Sequence, residues 1–257
     1  WQCVQRLDWL RTGLCPAPLK KLVKEMESIR SMPRLLVTEN VKHIVGKESK
    51  VWHNSLLYVQ TKISSEHLNE LKLVTTDIID NPKKYTSFND HLAGQLEKEF
   101  LLGTSQHIIE PYLVSLASSY DKQQNKDESE FDLYFDSAWV NLQKKYEFNP
   151  VHSHSGDYSY VLWIQIPYDL KDELSSSNCK NANCSVNSIF EFLFTDIFNK
   201  QKKEPLYIDK TWEGTLILFP SSLAHCVYPF YTSDDYRISI SGNISKMPVQ
   251  KNTFNYG

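Results

Sequence analysis

The sequence predicts an α+β chain: helices first, then a second half that folds as an all-β sandwich or barrel with the helices packed on one side. Two observations carry this. Apolar residues recur at helical spacing in the first half, at positions 19, 22, 23, 26 and 29 and again at 108, 109, 112, 113 and 116. From Phe131 onward the texture changes to short, aromatic and β-branched runs separated by turn residues. No internal repeat competes with that order.

Taken in order, Leu19 to Met32 reads as a helix, with Pro16 and Pro18 before it and Pro33 ending it. Residues 35–37 and 41–45 are short strand-like runs, and residues 1–50 as a whole form an N-terminal extension of unclear structure. A second domain is expected over 51–257, with a β core at about 131–246. Leu56 to Ile63 reads as a strand. Ser64 then caps a helix, with His67 at the third position, that runs to about Ile79 before Asp80-Asn81-Pro82 stops it. Asp90 to Phe100 reads as an exposed helix or turn face, Thr104 to Tyr120 as a second long helix, and residues 121–130 as a polar loop.

In the second half, strands are expected at 131–134, 138–142, 158–166, 189–195, 206–209, 215–219, 224–228 and 237–244, with a charged turn at 144–147. The polar segment 169–188 reads as an insertion between strands. Trp163 and Tyr160 are expected to pack in the core. Single histidines such as His43, His53 and His67 read as surface or packed residues.

The chain has 257 residues, 41% of them hydrophobic and 23% charged, as suits an ordered globular protein. Net charge is −3 and the pI is about 6.3, so neither nucleic acid nor an anionic membrane is indicated as partner. No apolar run is long enough to span a bilayer and no signal-peptide pattern opens the chain. The five cysteines, Cys3, Cys15, Cys179, Cys184 and Cys226, are odd in number and irregular in spacing. A reducing, cytoplasmic setting is expected.

The chemistry concentrates in three stretches. His152 and His154 stand two apart before a strand, so in an extended chain both imidazoles share a face. Asp157 follows closely, and His225 is the best distant ligand. Such a set holds a metal from one side and leaves positions open for substrate and oxygen. Either His154 or Asp157 completes the site; i, i+2 geometry favours His154, because Asp157 lies past Gly156. Arg237 opens an alternating strand in which Ser239 and Ser241 share its face. Arginine beside a hydroxyl makes a cradle for a carboxylate. A metal next to that cradle suits a small dicarboxylic acid that chelates at one end and is anchored at the other.

Three segments, Asn149 to Gly156, Phe219 to Pro229 and Arg237 to Asn243, resemble those of the 2-oxoglutarate and Fe(II)-dependent oxygenases, closest to the group common in marine phage and bacterial genomes. The resemblance covers about residues 50–246. It implies a double-stranded β-helix, a jelly-roll or cupin-like barrel, with supporting N-terminal helices. It also implies Fe(II) held by His152, His154 and His225, 2-oxoglutarate held by Arg237 and Ser239, and O2 as oxidant. The commonest superfamily pattern is His-x-Asp, and here His154 stands at the second position. The expected activity is a dioxygenase, by default a hydroxylase, that decarboxylates 2-oxoglutarate to succinate. The alternatives are a cupin-like three-histidine enzyme without 2-oxoglutarate and a catalytically silent barrel. The primary substrate stays open between small molecule and macromolecule, and the oligomeric state is not indicated.

Overall fold

Two antiparallel sheets organise the residues that the computed structural model describes, which are 53–54, 57–89, 94–124, 131–177, 179 and 186–248, all within one unit spanning 44–257. The strands are β1 (His53–Asn54), β2 (Val59–Lys62), β3 (Lys98–Leu101), β4 (Phe131–Gln143), β5 (Asn149–His152), β6 (Tyr158–Gln165), β7 (Phe190–Thr195), β8 (Gln201–Leu206), β9 (Thr215–Pro220), β10 (Ala224–Val227) and β11 (Arg237–Pro248). The helices are α1 (Ser65–Asp80), α2 (Glu110–Gln124) and α3 (Leu170–Ser175). The large sheet has the order β1-β2-β9-β6-β11-β4-β3 and the small one β5-β10-β7-β8. From β4 to β11 the chain winds between them, with β4, β6, β9 and β11 in the large sheet and β5, β7, β8 and β10 in the small one. That winding is the double-stranded β-helix. The two sheets share no hydrogen-bonded strand pair, so they face each other without closing into a barrel.

Alternation along β11 decides what each face of the large sheet does. Ile238, Ile240 and Ile244 turn outward and join Leu71 and Ile78 of α1 and Leu113 of α2 in one core. Gly242 lies on that strand where a Cβ would sit 2.4 Å from the buried Tyr160 hydroxyl, so glycine is what lets β11 and the tyrosine coexist. The opposite face meets the small sheet. There Trp163 of β6 and Phe219 of β9 pack against Phe190 and Phe192 of β7. Each such buried ring contributes roughly 1.5–3 kcal/mol.

The α1 cap matches the sequence reading: Ser64 Oγ accepts a hydrogen bond from the His67 N–H at 3.1 Å. His67 also hydrogen-bonds the Tyr112 hydroxyl through Nδ1, which ties α1 to α2. Four expectations are corrected. Lys98 to Leu101 is a strand paired with β4, with Glu99 and Phe100 buried, and not an exposed helix or turn face; its charged neighbours masked the pairing. The second helix begins with a 3-10 turn at Gly103–Ile108, after which α2 runs on to Gln124 into the segment read as loop. Residues 131–134 and 138–142 form one strand, because β11 pairs with them across a single bulge. The strand placed at 206–209 is instead Gln201–Leu206; its exposed Lys and Glu side chains hide a backbone that pairs fully with β7. The segment 169–188 holds α3. The helix and strand-like runs expected before residue 50, and His43, lie outside the described residues. None of the described helices is long and apolar enough to cross a membrane.

Candidate metal centre and anion pocket

Pairing of β5 with β10 sets His152 directly opposite His225 in the small sheet. His154 lies two residues beyond the end of β5, where its N–H donates to the Ser221 carbonyl at 2.9 Å. That bond turns the chain so that the third ring meets the other two. Ring centroids are 4.3 Å apart for His152–His225, 4.9 Å for His152–His154 and 5.2 Å for His154–His225. One ring nitrogen from each lies within 4.8 Å of the other two.

Hydrogen bonds choose which nitrogen faces the centre. Nδ1 of His152 lies 2.7 Å from the Pro150 carbonyl, and Nδ1 of His225 lies 2.9 Å from the Leu223 carbonyl. A carbonyl only accepts, so in both rings Nδ1 carries the proton and Nε2 presents its lone pair. The rings are also kept neutral. Burial lowers the pKa of His152, takes His154 down to about 4 with help from neighbouring His152, and takes His225 down to about 3. His225 is only 2% exposed, with the ring of Phe190 stacked on it at 5.4 Å and 16° and Phe219 edge-on at 4.9 Å. Trp139 of β4 lies beside His154, centroids 5.8 Å apart. Three neutral imidazole donors on one side of an open position fit Fe(II) and its first-row neighbours.

Asp157 is elsewhere. Its N–H donates to the Ile244 carbonyl, and its carboxylate accepts the Lys246 N–H at 2.6 Å, so it caps the edge of β11.

Arg237 is 3% exposed. Its five N–H groups are all used. Nε and Nη2 donate to Gln143 Oε1 at 3.1 and 2.7 Å, Nη1 to the Tyr168 hydroxyl at 2.8 Å and the Ser188 carbonyl at 3.1 Å, and Nη2 to the Tyr228 carbonyl at 2.8 Å. The ring of Phe230 lies 5.4 Å from the guanidinium carbon. No carboxylate among the described residues comes within ion-pair distance, and Asp234 pairs with Lys145 instead. A buried cation surrounded only by neutral groups leaves its charge uncompensated. Ser188 sharpens the point. Its buried Oγ has only the adjoining Tyr168 phenol beside it, and its backbone holds a φ of 60°, a conformation that costs an L residue about 1 kcal/mol or more. Burial pushes the Tyr168 phenol up despite Arg237 beside it, so it keeps its proton. The uncompensated charge of the arginine and the hydroxyls of Tyr168 and Ser188 together suit a carboxylate that takes the place of one of the guanidinium's neutral acceptors.

Ser239, two positions after Arg237, accepts from Asn141 Nδ2 at 3.3 Å, and the same nitrogen donates to Ser241 at 3.1 Å. The residues that touch the guanidinium, Gln143, Tyr168 and Ser188, escaped the sequence reading. Gln143 is legible only from the β4–β11 register, which pairs it with Arg237. Tyr168 and Ser188 bracket the segment read as an insertion and carry no motif.

Comparison with known proteins gives the following. No curated protein matches the chain. Among solved structures, a prolyl-4-hydroxylase from Pseudomonas putida is 12% identical, with 73% of this chain and 91% of that chain covered and a TM-score of 0.45. A prolyl hydroxylase from Trichoplax adhaerens, in complex with a hypoxia inducible factor oxygen degradation domain peptide fragment, is 11% identical, with 85% and 94% covered and a TM-score of 0.43. The non-heme alpha ketoglutarate dependent epimerase SnoN from nogalamycin biosynthesis is 11% identical, with 74% and 76% covered and a TM-score of 0.47. The family model described as "Putative 2OG-Fe(II) oxygenase" matches residues 137–243. That stretch holds the three clustered histidines and the buried Arg237, and it is what the chain shares with the 2OG-Fe(II) oxygenase model.

Proposed function

We propose that the protein is a hydroxylase: it couples oxidative decarboxylation of 2-oxoglutarate to insertion of one oxygen atom into a substrate C–H bond. The balance is 2-oxoglutarate + O2 + R–H giving succinate + CO2 + R–OH. Iron and 2-oxoglutarate, which the family uses together with O2, supply the oxidation when bound. His152, His154 and His225 would hold the metal through Nε2 where the Nδ1 bonds fix the tautomer. Arg237, Tyr168 and Ser188 would hold the distal carboxylate of 2-oxoglutarate. Phe190 and Phe219 exclude water from one side of His225. The observation that carries this reading is a three-imidazole cluster accompanied, on the same sandwich, by a buried guanidinium without an anion. An intracellular setting is part of the reading, supported by the free, buried Cys226.

The test is anaerobic addition of Fe(II) and then 2-oxoglutarate, followed by visible spectroscopy. A weak metal-to-ligand charge-transfer band on adding 2-oxoglutarate, and succinate formation on admitting air, is the expected result. One observation favours a second reading: the cluster contains no carboxylate, as suits a three-histidine dioxygenase that needs no co-substrate. Metal binding without the band or succinate would select that enzyme. No metal binding at all would leave a silent fold.

A further inference from the structure

Among the described residues, buried acids have donors, with one exception. Glu173, fully buried, accepts from the Tyr231 and Thr232 N–H groups and the Thr232 hydroxyl at 2.6–3.0 Å. Glu191, 4% exposed, accepts from Lys203 at 3.1 Å and the Tyr228 hydroxyl. Glu99 is equally buried at 4%, yet its carboxyl meets no donor and no cation among the described residues. Its backbone is fixed: the N–H donates to Asn89 Oδ1 at 2.7 Å, and the carbonyl accepts from the Phe88 N–H at 2.9 Å. The side chain is therefore held in place by its strand and left unmatched at its tip.

Register shows where the tip lies. Glu99 of β3 pairs with Asn141 of β4, which pairs with Ser239 of β11, which pairs with Trp163 of β6. Directly opposed residues share a face, and Trp163 packs against the small sheet. Glu99 therefore belongs to the inner face. Trp139, two residues before Asn141, shares that face and lies beside His154. Glu99 is thus about 5 Å across one strand gap and about 7 Å along from the tryptophan that touches the histidine cluster. Asn141 cannot satisfy it, because its amide already donates to both serines. Neither carboxyl oxygen is both fully enclosed and unpaired, so the group keeps an opening to the space it faces.

Resting on the oxygenase reading, we propose that Glu99 is the substrate-recognition group of this site, and that the substrate presents an alkylammonium or guanidinium cation to it. A buried carboxyl without a donor is costly and becomes favourable when a cation enters. Burial pushes the Glu99 carboxyl up to about 7, as expected for a group awaiting its counter-ion.

The test is calorimetric titration of the metal-free, full-length wild type and its Glu99→Gln and Glu99→Asp variants. The probes are n-butylammonium and n-butylguanidinium, with n-pentanol as the neutral isostere. All three proteins are first matched for circular dichroism. Saturable binding of a cation by the wild type, weakened about tenfold or more in Glu99→Gln, is expected. Glu99→Asp should keep part of it, and n-pentanol should not distinguish the proteins. Equal cation binding by wild type and Glu99→Gln, or no saturable binding of either cation, overturns the proposal. The charge-transfer band of the wild type decides the oxygenase reading separately, since it needs neither probe.

Discussion

Gln143 Oε1 accepts two hydrogen bonds from Arg237, from Nε at 3.1 Å and from Nη2 at 2.7 Å, across directly paired positions of β4 and β11. The amide thus does for the guanidinium what a carboxylate fork does elsewhere, but without the charge. It aims Arg237 and leaves its charge for a ligand. Lysine cannot reproduce that geometry, because an ammonium has no planar fork. Arg237→Lys should therefore weaken 2-oxoglutarate binding by roughly 10- to 100-fold, the loss of ~1.5–3 kcal/mol from a charge-assisted contact. It should also lower thermal stability, since Gln143 and the carbonyls of Ser188 and Tyr228 lose donors. Fe(II) affinity should stay near wild type. Parallel titrations of both ligands check this; unchanged 2-oxoglutarate affinity would make Arg237 purely structural.

Ser188 separates binding from stability more cleanly. Its hydroxyl has no partner beyond the adjoining Tyr168 phenol, so Ser188→Ala removes a buried polar group at little cost in native contacts. The melting temperature should hold or rise slightly. If the hydroxyl is there for the co-substrate carboxylate, 2-oxoglutarate affinity should still fall by roughly tenfold. A variant with both quantities unchanged would place Ser188 outside the anion pocket.

The two halves of this site were unequally legible in the sequence. His152, His154, His225 and Arg237 could be picked out because imidazoles at i, i+2 and an arginine opening an apolar strand are rare without a purpose. Most strands of the second half followed from alternation and from turn residues. What could not be read was anything set by cross-strand register. Gln143, Tyr168 and Ser188 meet Arg237 from three segments, and no local pattern marks that meeting. Glu99 follows Glu97 and Lys98, and three consecutive charges read as a solvated face; only pairing with β4 shows that the last one is buried. Ser239 was chosen by spacing from Arg237, but spacing cannot say that its oxygen accepts from Asn141, a bond that still leaves its O–H to donate.

The metal centre offers a direct contest between two residues. His154 is one of three rings whose nitrogens gather within 4.8 Å, while the Asp157 carboxylate is bound to the Lys246 N–H. His154→Ala should abolish stoichiometric Fe(II) or Co(II) binding, and Asp157→Asn should leave it within a few-fold of wild type. Asp157→Asn should instead cost about 1 kcal/mol of stability, through weakening of the edge of β11. Equilibrium dialysis with metal analysis gives the order. The reverse order would put a carboxylate on the metal and require the 152–157 segment to rearrange when iron binds.

Glu99 supplies a prediction that does not depend on any ligand. Burial raises its folded-state pKa from an ordinary 4.5 to about 7. A carboxyl whose folded pKa is raised holds its proton in the native state after the unfolded chain has released it. By linkage its presence costs nothing below pH 4.5, costs progressively more as pH rises to about 7, and costs a constant amount above that. The full shift corresponds to at most about 3 kcal/mol. Glutamine imitates the neutral acid at every pH. Glu99→Gln should therefore melt close to wild type at pH 4 and several degrees higher at pH 8, at roughly 2–4 °C per kcal/mol for a domain of this size. Differential scanning calorimetry of both proteins between pH 4 and pH 8 measures the gap. A gap that stays constant with pH would mean that Glu99 titrates in the folded protein as it does in the unfolded chain, and its carboxyl would then have to be solvated rather than enclosed on the inner face of β3.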